Sequence, residues 1–282
     1  MKMDTITLNN GVKMPMLGFG TFQITDGSGC EKNVLDAIDA GYRLIDTAQC
    51  YGNEEYVGNA IEKCSVPRSE LFITTKAWFH SYESGVCRQS IIESMKKLKT
   101  DYLDLVLLHW PFGNIYSAWR DLEALYKEGK IRAIGVSNFN PDRFIDLISF
   151  NEIKPAINQI ETHLYCQRKT AHKWEDKYGI AHQAYAPLGQ ARANEMFDEP
   201  AVKQLAEKYG KTPAQILLRF LIQNNVIVIP KSVHKNRIIE NIDVFDFKLT
   251  AQELSELEKL DKNAPMIGTP ETPEKVETAM SW

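Results

Sequence analysis

The sequence predicts a (β/α)8 barrel of the TIM type, one domain over residues 1–282, with an N-terminal β-hairpin and a C-terminal helix. Three observations lead there. From Leu17 onward, eight short apolar runs alternate with amphipathic segments of helical period. The length, 282 residues, suits such a barrel, which commonly forms one unit of about 250 residues. No Gly-x-Gly-x-x-Gly follows an early strand, which sets the barrel ahead of a doubly wound open sheet; Gly18-Phe19-Gly20-Thr21 is too short to be one.

Ile6–Met14 reads as a hairpin around Asn10-Gly11, a pair suited to the positive backbone angles of a tight turn. It stands before the repeat and is expected to cap it. Strands are predicted near Leu17–Gly20, Arg43–Asp46, Leu71–Lys76, Leu103–His109, Ile131–Ser137, Ala156–Glu161, Ala181–Ala184 and Val226–Pro230. Helices are predicted over Glu31–Ala40, Glu54–Lys63, Cys87–Leu98, Ser117–Glu128, Asp142–Phe150, Gln167–Tyr178 and Thr212–Gln223. Ser117–Glu128 sets Trp119, Leu122 and Tyr126 on one face, at i, i+3 and i+7. Asn140-Pro141 and Thr212-Pro213 are helix starts with Pro in first position. The longer connection from Asn194 holds a helix near Ala201–Tyr209. Thr250–Leu260 is the final helix, with Thr250 and Glu253 as a capping box. Gly268–Trp282, with its Pro and Thr, is expected to run in turns over the surface.

With 44% hydrophobic and 25% charged residues, the composition is that of an ordinary globular domain. A net charge of −4 offers no electrostatic case for nucleic acid or an anionic membrane surface. The run Val226–Ile229 is stopped by Pro230, far short of the roughly 20 residues a membrane span needs. Met1–Thr5 lacks the apolar core of a signal peptide, and a cytoplasmic monomer is expected. Cys30, Cys50, Cys64, Cys87 and Cys166 are odd in number and scattered, with no Cys-x-x-Cys. Free thiols are expected, with no disulfide framework and no metal.

Chemistry gathers where strands end. Leu44-Ile45 leads into Asp46, and Tyr51 follows before Gly52-Asn53 and the helix from Glu54. Leu71–Thr75 runs into Lys76, and Leu103–Leu108 into His109. The C-terminal ends of parallel strands are where barrels place their sites. Taken singly, Asp46 suits a loop cap, Tyr51 a half-buried aromatic, Lys76 a solvated charge and His109 a core histidine. Ranged along three successive strand ends, they make a proton donor. A phenol of ordinary pKa, about 10, is a poor acid at neutral pH, and a neighbouring ammonium favours its ionised form. Lys76 is therefore expected to lower the pKa of Tyr51, Asp46 to hold Lys76, and His109 to hydrogen-bond a carbonyl oxygen. Such a donor protonates oxygen while hydride adds to the carbon of an aldehyde or ketone.

These motifs carry a resemblance. Gly18-Phe19-Gly20-Thr21, Asp46-Thr47-Ala48 with Tyr51-Gly52-Asn53-Glu54, Lys76 with Trp78, His109-Trp110-Pro111, Gly135–Phe139, Asn158-Gln159, Ala184-Tyr185 with Pro187-Leu188-Gly189, and Ile229–Ser232 stand in the order found in aldo-keto reductases. The chain resembles that family over essentially its whole length. It is most similar to the short microbial and protozoan members, such as diketogluconate reductases and prostaglandin F synthases. The resemblance implies reduction of carbonyls with NADPH, with Tyr51 as acid and Asp46, Lys76 and His109 as its partners.

The same resemblance implies where cofactor and substrate lie. Ser137, Asn138 and Gln159 match donors to the nicotinamide amide, and Tyr185 matches the ring stacked on it. Gly20, Thr21 and Asp46 border the same place. Pro187, Leu188 and Gln190 belong to the pyrophosphate loop, around Gly189. Lys231, Ser232, Val233 and Arg237 match the group around the adenosine phosphate, and Glu240 and Asn241 the adenine amide contacts. Phe22, Trp78, His109 and Trp110 would line the substrate pocket. Thr162 and Leu164 replace the frequent aromatic and proline around His163, Ala186 a frequent serine, and Phe22 a common tryptophan. The short Pro111–Tyr116 loop and short tail imply an open pocket. A cofactor-binding regulatory subunit without turnover is the alternative, against which the complete tetrad argues. A hydrolase with paired carboxylates would need acids on several strand ends, and they are not there. A structural role would show as an absence of turnover.

Overall fold

The computed structural model describes residues 3–267 and 272–281. Strands β1 (Thr5–Thr7) and β2 (Lys13–Pro15) form the expected antiparallel hairpin, with Ile6 opposite Met14. Gly11 takes φ +84°, the left-handed conformation its turn demands. Asn9 Nδ2 donates to Pro155 O at 2.8 Å and Asn10 Nδ2 to Arg132 O at 2.9 Å. Both carbonyls lie just before barrel strands begin, so the hairpin caps the N-terminal face, with Met14 fully buried.

Eight parallel strands make the barrel: β3 (Gly18–Gly20), β4 (Leu44–Asp46), β5 (Phe72–Ala77), β6 (Leu105–Leu108), β7 (Ile134–Ser137), β8 (Ile157–Glu161), β9 (Ala181–Tyr185) and β10 (Ile227–Val228). Each pairs with the next in chain order. Closure comes from a parallel bridge between Leu17 and Val228, extended by Gly20 N donating to Pro230 O at 3.1 Å. Six of the strands are shorter than the apolar runs that predict them; β5 is as long as its run, and β9 extends one residue further. In Val226–Pro230 all five residues are buried, yet only Ile227–Val228 keeps the regular ladder.

Around the barrel stand α1 (Gly27–Asp39), α2 (Glu54–Lys63), α3 (Val86–Lys97), α4 (Ile115–Lys127), α5 (Pro141–Ser149), α6 (Lys169–Tyr178), α7 (Ala193–Phe197), α8 (Pro200–Tyr209), α9 (Pro213–Gln223), α10 (Lys235–Ile242), α11 (Ala251–Glu258) and α12 (Pro273–Met280). Pro opens α5 and α9, and both Thr212 and Thr250 form complete capping boxes. Losing such a cap costs about 1 kcal/mol. The predicted face of α4 is inward: Trp119 and Leu122 are fully buried, Tyr126 half-buried, and Trp119 Nε1 donates to Ile153 O. Truncating a buried tryptophan typically costs about 3–5 kcal/mol.

Three helices, α7, α10 and α12, lie outside the predicted ranges. The short α7 spans too few residues to show a period. In the tail, where turns were expected, α12 forms; Thr272 caps it, Pro273 opens it, and Ala279 is fully buried. Residues 268–271 and 282 of that predicted segment lie outside the described residues.

A buried polar chain ties α6 to the barrel. Glu175 accepts from Asn158 Nδ2 at 2.6 Å and meets His182 Nδ1 at 2.5 Å, and His182 Nε2 meets Thr162 Oγ1 at 2.7 Å. These bonds join β8 and β9 to α6, while Asn158 Oδ1 is buried without a hydrogen-bond partner among the described residues. The network holds Asn158 directly beside Gln159.

Candidate active site

The Lys76 side chain points into the barrel and is fully buried. A buried ammonium is costly unless every donor is matched. It has three N–H donors and three acceptors: Asp46 Oδ1 at 2.5 Å, Thr47 O at 2.9 Å and the Tyr51 hydroxyl at 3.3 Å. The register that sets Gly20, Asp46 and Thr74 side by side brings these strand ends level.

Tyr51 closes a single turn, Gln49–Tyr51, and Gly52 leaves it at φ +67°, where a side chain would be strained. Asn53 pins the loop: its Oδ1 accepts from Thr47 Oγ1 at 2.8 Å, and its Nδ2 donates to Thr21 O at 2.9 Å. Gln49 fixes the facing wall, its Oε1 accepting from Trp78 N at 2.9 Å and its Nε2 donating to Ser90 and Ser94. Glu54 lies buried beneath, accepting from Thr75 Oγ1 at 2.6 Å, and burial raises its pKa.

His109 follows β6. Its backbone N–H donates to Ala77 O, its carbonyl accepts from Asn138 Nδ2 at 3.1 Å, and its Nδ1 stands 3.5 Å from Cys50 Sγ. The Tyr51 and His109 ring centres are 5.8 Å apart at a steep angle. Phe22 leans on Tyr51 at 4.9 Å, Trp78 stands edge-on to His109 at 5.3 Å, and Trp110 stacks beside it. All four tetrad members and the three predicted pocket aromatics thus converge.

The electrostatics correct one expectation. Burial, reinforced by the Asp46 carboxylate and Cys50, holds the Tyr51 phenol well above its ordinary value instead of below it. Tyr51 therefore keeps its proton, with the Lys76 ammonium in hydrogen-bond contact with its oxygen. Burial, then the Lys76 charge, holds His109 well below its ordinary value, so its imidazole is neutral.

Of the predicted cofactor residues, Thr21, Ser137, Asn138, Gln159 and Tyr185 meet one another or the tetrad at the same strand ends. Thr21 is buried with its hydroxyl donating to Asp46 O. Ser137 Oγ donates to Gln159 O at 2.8 Å, and Asn138 takes φ +63° beyond β7. The Tyr185 hydroxyl donates to Asn138 Oδ1 at 2.9 Å. Gln159 Nε2 donates to Asp46 Oδ2 at 2.8 Å and to Gln183 Oε1 at 3.0 Å. Its amide thereby joins the cofactor residues to the tetrad.

Gly20 keeps the wall low: a Cβ there would meet Ile229 O at 3.1 Å. Pro187 is buried, Leu188 half-buried, and Gln190 exposed at φ +50°. Gly189 lies against Met196 and Met266, each 2.8 Å from where its Cβ would be. Lys231 shows no carboxylate partner among the described residues, and burial lowers its pKa. Ser232 Oγ accepts from His234 N, so its hydroxyl is turned to its own loop. Val233 is exposed, Arg237 sits in the first turn of α10, Glu240 accepts from Thr212 Oγ1 at 2.8 Å, and Asn241 is buried.

Several contributors were not singled out in the sequence. Thr47 serves through its carbonyl, which no side-chain reading finds. Cys50 was counted only as a free thiol, although its place beside Tyr51 was a signal. Glu161, fully buried at the end of β8, accepts from Met266 N and Ile267 N and ties the segment after α11 to the mouth. Two surface hollows, of about 250 and 310 Å3, lie elsewhere and hold no tetrad residue. Among the described residues no group of His, Cys, Asp and Glu could hold a metal ion, and no helix is long and apolar enough to cross a membrane.

Comparison with known proteins agrees with this geometry. The glyoxal reductase of Bacillus subtilis is 43% identical, the match covering 92% of this chain and 94% of that protein. The methylglyoxal reductase DkgA of Escherichia coli is 43% identical, covering 91% and 93%. The crystal structure of a Bombyx mori aldo-keto reductase in complex with NADP superposes with a TM-score of 0.89 at 36% identity, covering 95% of this chain and 96% of that one. The profile of the aldo/keto reductase family matches residues 16–262, and with the barrel and the strand-end tetrad this places the chain in the aldo/keto reductase family.

Proposed function

We propose that this chain reduces aldehydes and ketones to alcohols, with NADPH as hydride source and Tyr51 as proton donor. The observation that carries the reading is the Lys76 ammonium, shared between the Asp46 carboxylate and the Tyr51 hydroxyl at the bottom of an aromatic-walled mouth. NADPH supplies the hydride when bound. Tyr51 gives its proton to the carbonyl oxygen as negative charge grows there. Lys76 stabilises the phenolate left behind, and Asp46 keeps the ammonium in place. His109, neutral, hydrogen-bonds the same oxygen and sets the carbonyl's angle. Groups arranged beforehand around developing charge are the strongest contributors to such steps.

The residues present fit the cofactor. Asn138, Gln159 and Ser137 offer amides and a hydroxyl at strand ends, and Tyr185 a flat ring. Gly20 and Gly189 let their loops pack closely on Ile229 O and on Met196 and Met266, where a side chain would collide. Lys231 is a partly desolvated cation lacking a carboxylate, the setting a phosphate dianion relieves. The short Pro111–Tyr116 loop leaves Phe22, Trp78 and Trp110 as the main walls, which favours small or extended carbonyls. Glyoxal and methylglyoxal, the compounds named for the two bacterial relatives, belong to that class. A wall of uniform apolar contacts discriminates weakly, by about 1–3 kcal/mol per methylene.

The test is NADPH absorbance followed against a panel of aldehydes, dicarbonyls, ketones, sugars and quinones. Broad turnover supports the reading. One substrate ahead by several orders of magnitude would overturn the predicted breadth. NADPH binding with no turnover on the whole panel would favour the regulatory alternative.

A further inference from the structure

Cys50 stands between Gln49 and Tyr51 in the turn that delivers the proton donor. Its sulfur is 3.5 Å from His109 Nδ1, within reach of an S–H···N hydrogen bond. The other ring nitrogen, Nε2, has no hydrogen-bond partner among the described residues, and the ring lies between Tyr51 and Trp78. His109 is otherwise fixed through its backbone: N–H to Ala77 O, and carbonyl to Asn138.

A neutral imidazole carries one proton on one of two nitrogens. The nitrogen that accepts a hydrogen bond leaves the proton on the other. We propose that the Cys50 thiol donates to His109 Nδ1 and thereby holds the imidazole in the tautomer whose Nε2–H points at the substrate carbonyl. Cys50 is thus a positioning residue, acting through His109.

Two surroundings agree. Desolvation around the sulfur, opposed by Lys76 and aided by Glu54, pushes the thiol up to about 11, so it keeps the proton it would donate, although the residue as a whole is exposed. The Lys76 charge disfavours a second proton on the ring, so a choice of tautomer has to be made. In the opposite tautomer, Nε2 would present a lone pair to the carbonyl oxygen and repel it. The thiol selects the arrangement in which His109 donates.

The inference rests on the reductase reading, so the experiment has an arm that does not need turnover. On the cofactor-free protein, nitrogen-15 NMR of the His109 ring, assigned with His109→Gln, reports which nitrogen bears the proton. Wild type is expected to show Nε2–H, Cys50→Ser to retain it through its hydroxyl, and Cys50→Ala to mix in the Nδ1–H form. In steady state, Cys50→Ala should lower kcat/KM for a reactive aldehyde by about three- to tenfold, the worth of one neutral hydrogen bond. The dissociation constant of NADPH should stay unchanged, and Cys50→Ser should recover most of the loss. Nδ1–H in wild type, or one tautomer in all three proteins, would overturn the proposal. Equal kcat/KM in wild type and Cys50→Ala would also overturn it. If wild type reduces no carbonyl while the tautomer still follows residue 50, the reductase reading fails and the Cys50–His109 link stands.

Discussion

The Lys76 ammonium stands 3.3 Å from the Tyr51 hydroxyl, and that contact completes its set of three acceptors. Under the proposed function, this is the charge that would stabilise the phenolate once the proton has left. Burial first, and then the Asp46 carboxylate, work the other way and hold the phenol well above its ordinary value. Tyr51 therefore stays protonated at rest.

Tyr51→Phe keeps the ring and removes only the hydroxyl. The loop pinned by Asn53 and the cofactor residues Asn138, Gln159 and Tyr185 should be undisturbed. Turnover on a reactive aldehyde is expected to fall by about 10²–10⁴, the usual worth of a positioned acid. NADPH titration by tryptophan fluorescence should give the wild-type dissociation constant. Wild-type turnover in the variant would remove Tyr51 from its assigned role.

Lys76→Met removes the cation and leaves the Asp46 carboxylate buried, with only Gln159 still donating to it. Breaking a buried pair from one side typically costs about 3–5 kcal/mol. Urea unfolding should show that loss in Lys76→Met and none in Tyr51→Phe, although both lose turnover. Equal stability of the two variants would mean that Asp46 is not the partner it appears in the geometry.

His109 gives a stability that depends on pH. Folded, it is held neutral; unfolded, it titrates near 6.5. Below that value the unfolded chain takes up a proton that the folded site refuses, so the unfolded state gains. The contribution is complete above 6.5 and is lost as pH falls, with a slope of up to about 1.4 kcal/mol per pH unit. Unfolding free energies measured on either side of this value should fall more steeply on acidification in wild type than in His109→Gln. Parallel slopes would show that the imidazole titrates normally in the folded protein.

Lys231→Ala should weaken NADPH roughly tenfold and leave NADH nearly unchanged. One charge-assisted hydrogen bond to phosphate contributes about 1.5–3 kcal/mol, and only NADPH carries that phosphate. Calorimetric titration of both cofactors into both proteins checks it. Equal affinities for the two cofactors in wild type would show that Lys231 does not select.

Much of the site was legible before the fold because the tetrad is ranged along the ends of three successive strands. Asp46, Lys76 and His109 each terminate an apolar run, and Tyr51 follows after one turn. Periodicity marks such positions locally. The tail helix α12 was not legible: Pro and Thr read as turn residues, and here Thr272 caps and Pro273 opens a helix instead. The direction of the Tyr51 shift was misread because sequence names the neighbouring charge but not the depth of burial, and burial is the larger effect.

By itself the sequence determined the order of strands and helices, the capped helix starts at Thr212 and Thr250, and which residue types stand at the strand ends. Those follow from local propensity and period, which need no knowledge of distant contacts. Tertiary structure decided which atoms meet. Gln159 reaches Asp46 across 113 residues of chain, and Cys50 reaches His109 across 59. Such pairings depend on how the strands are staggered when Leu17 bridges to Val228 and the barrel closes. The stagger is a property of the closed sheet, and no single strand contains it.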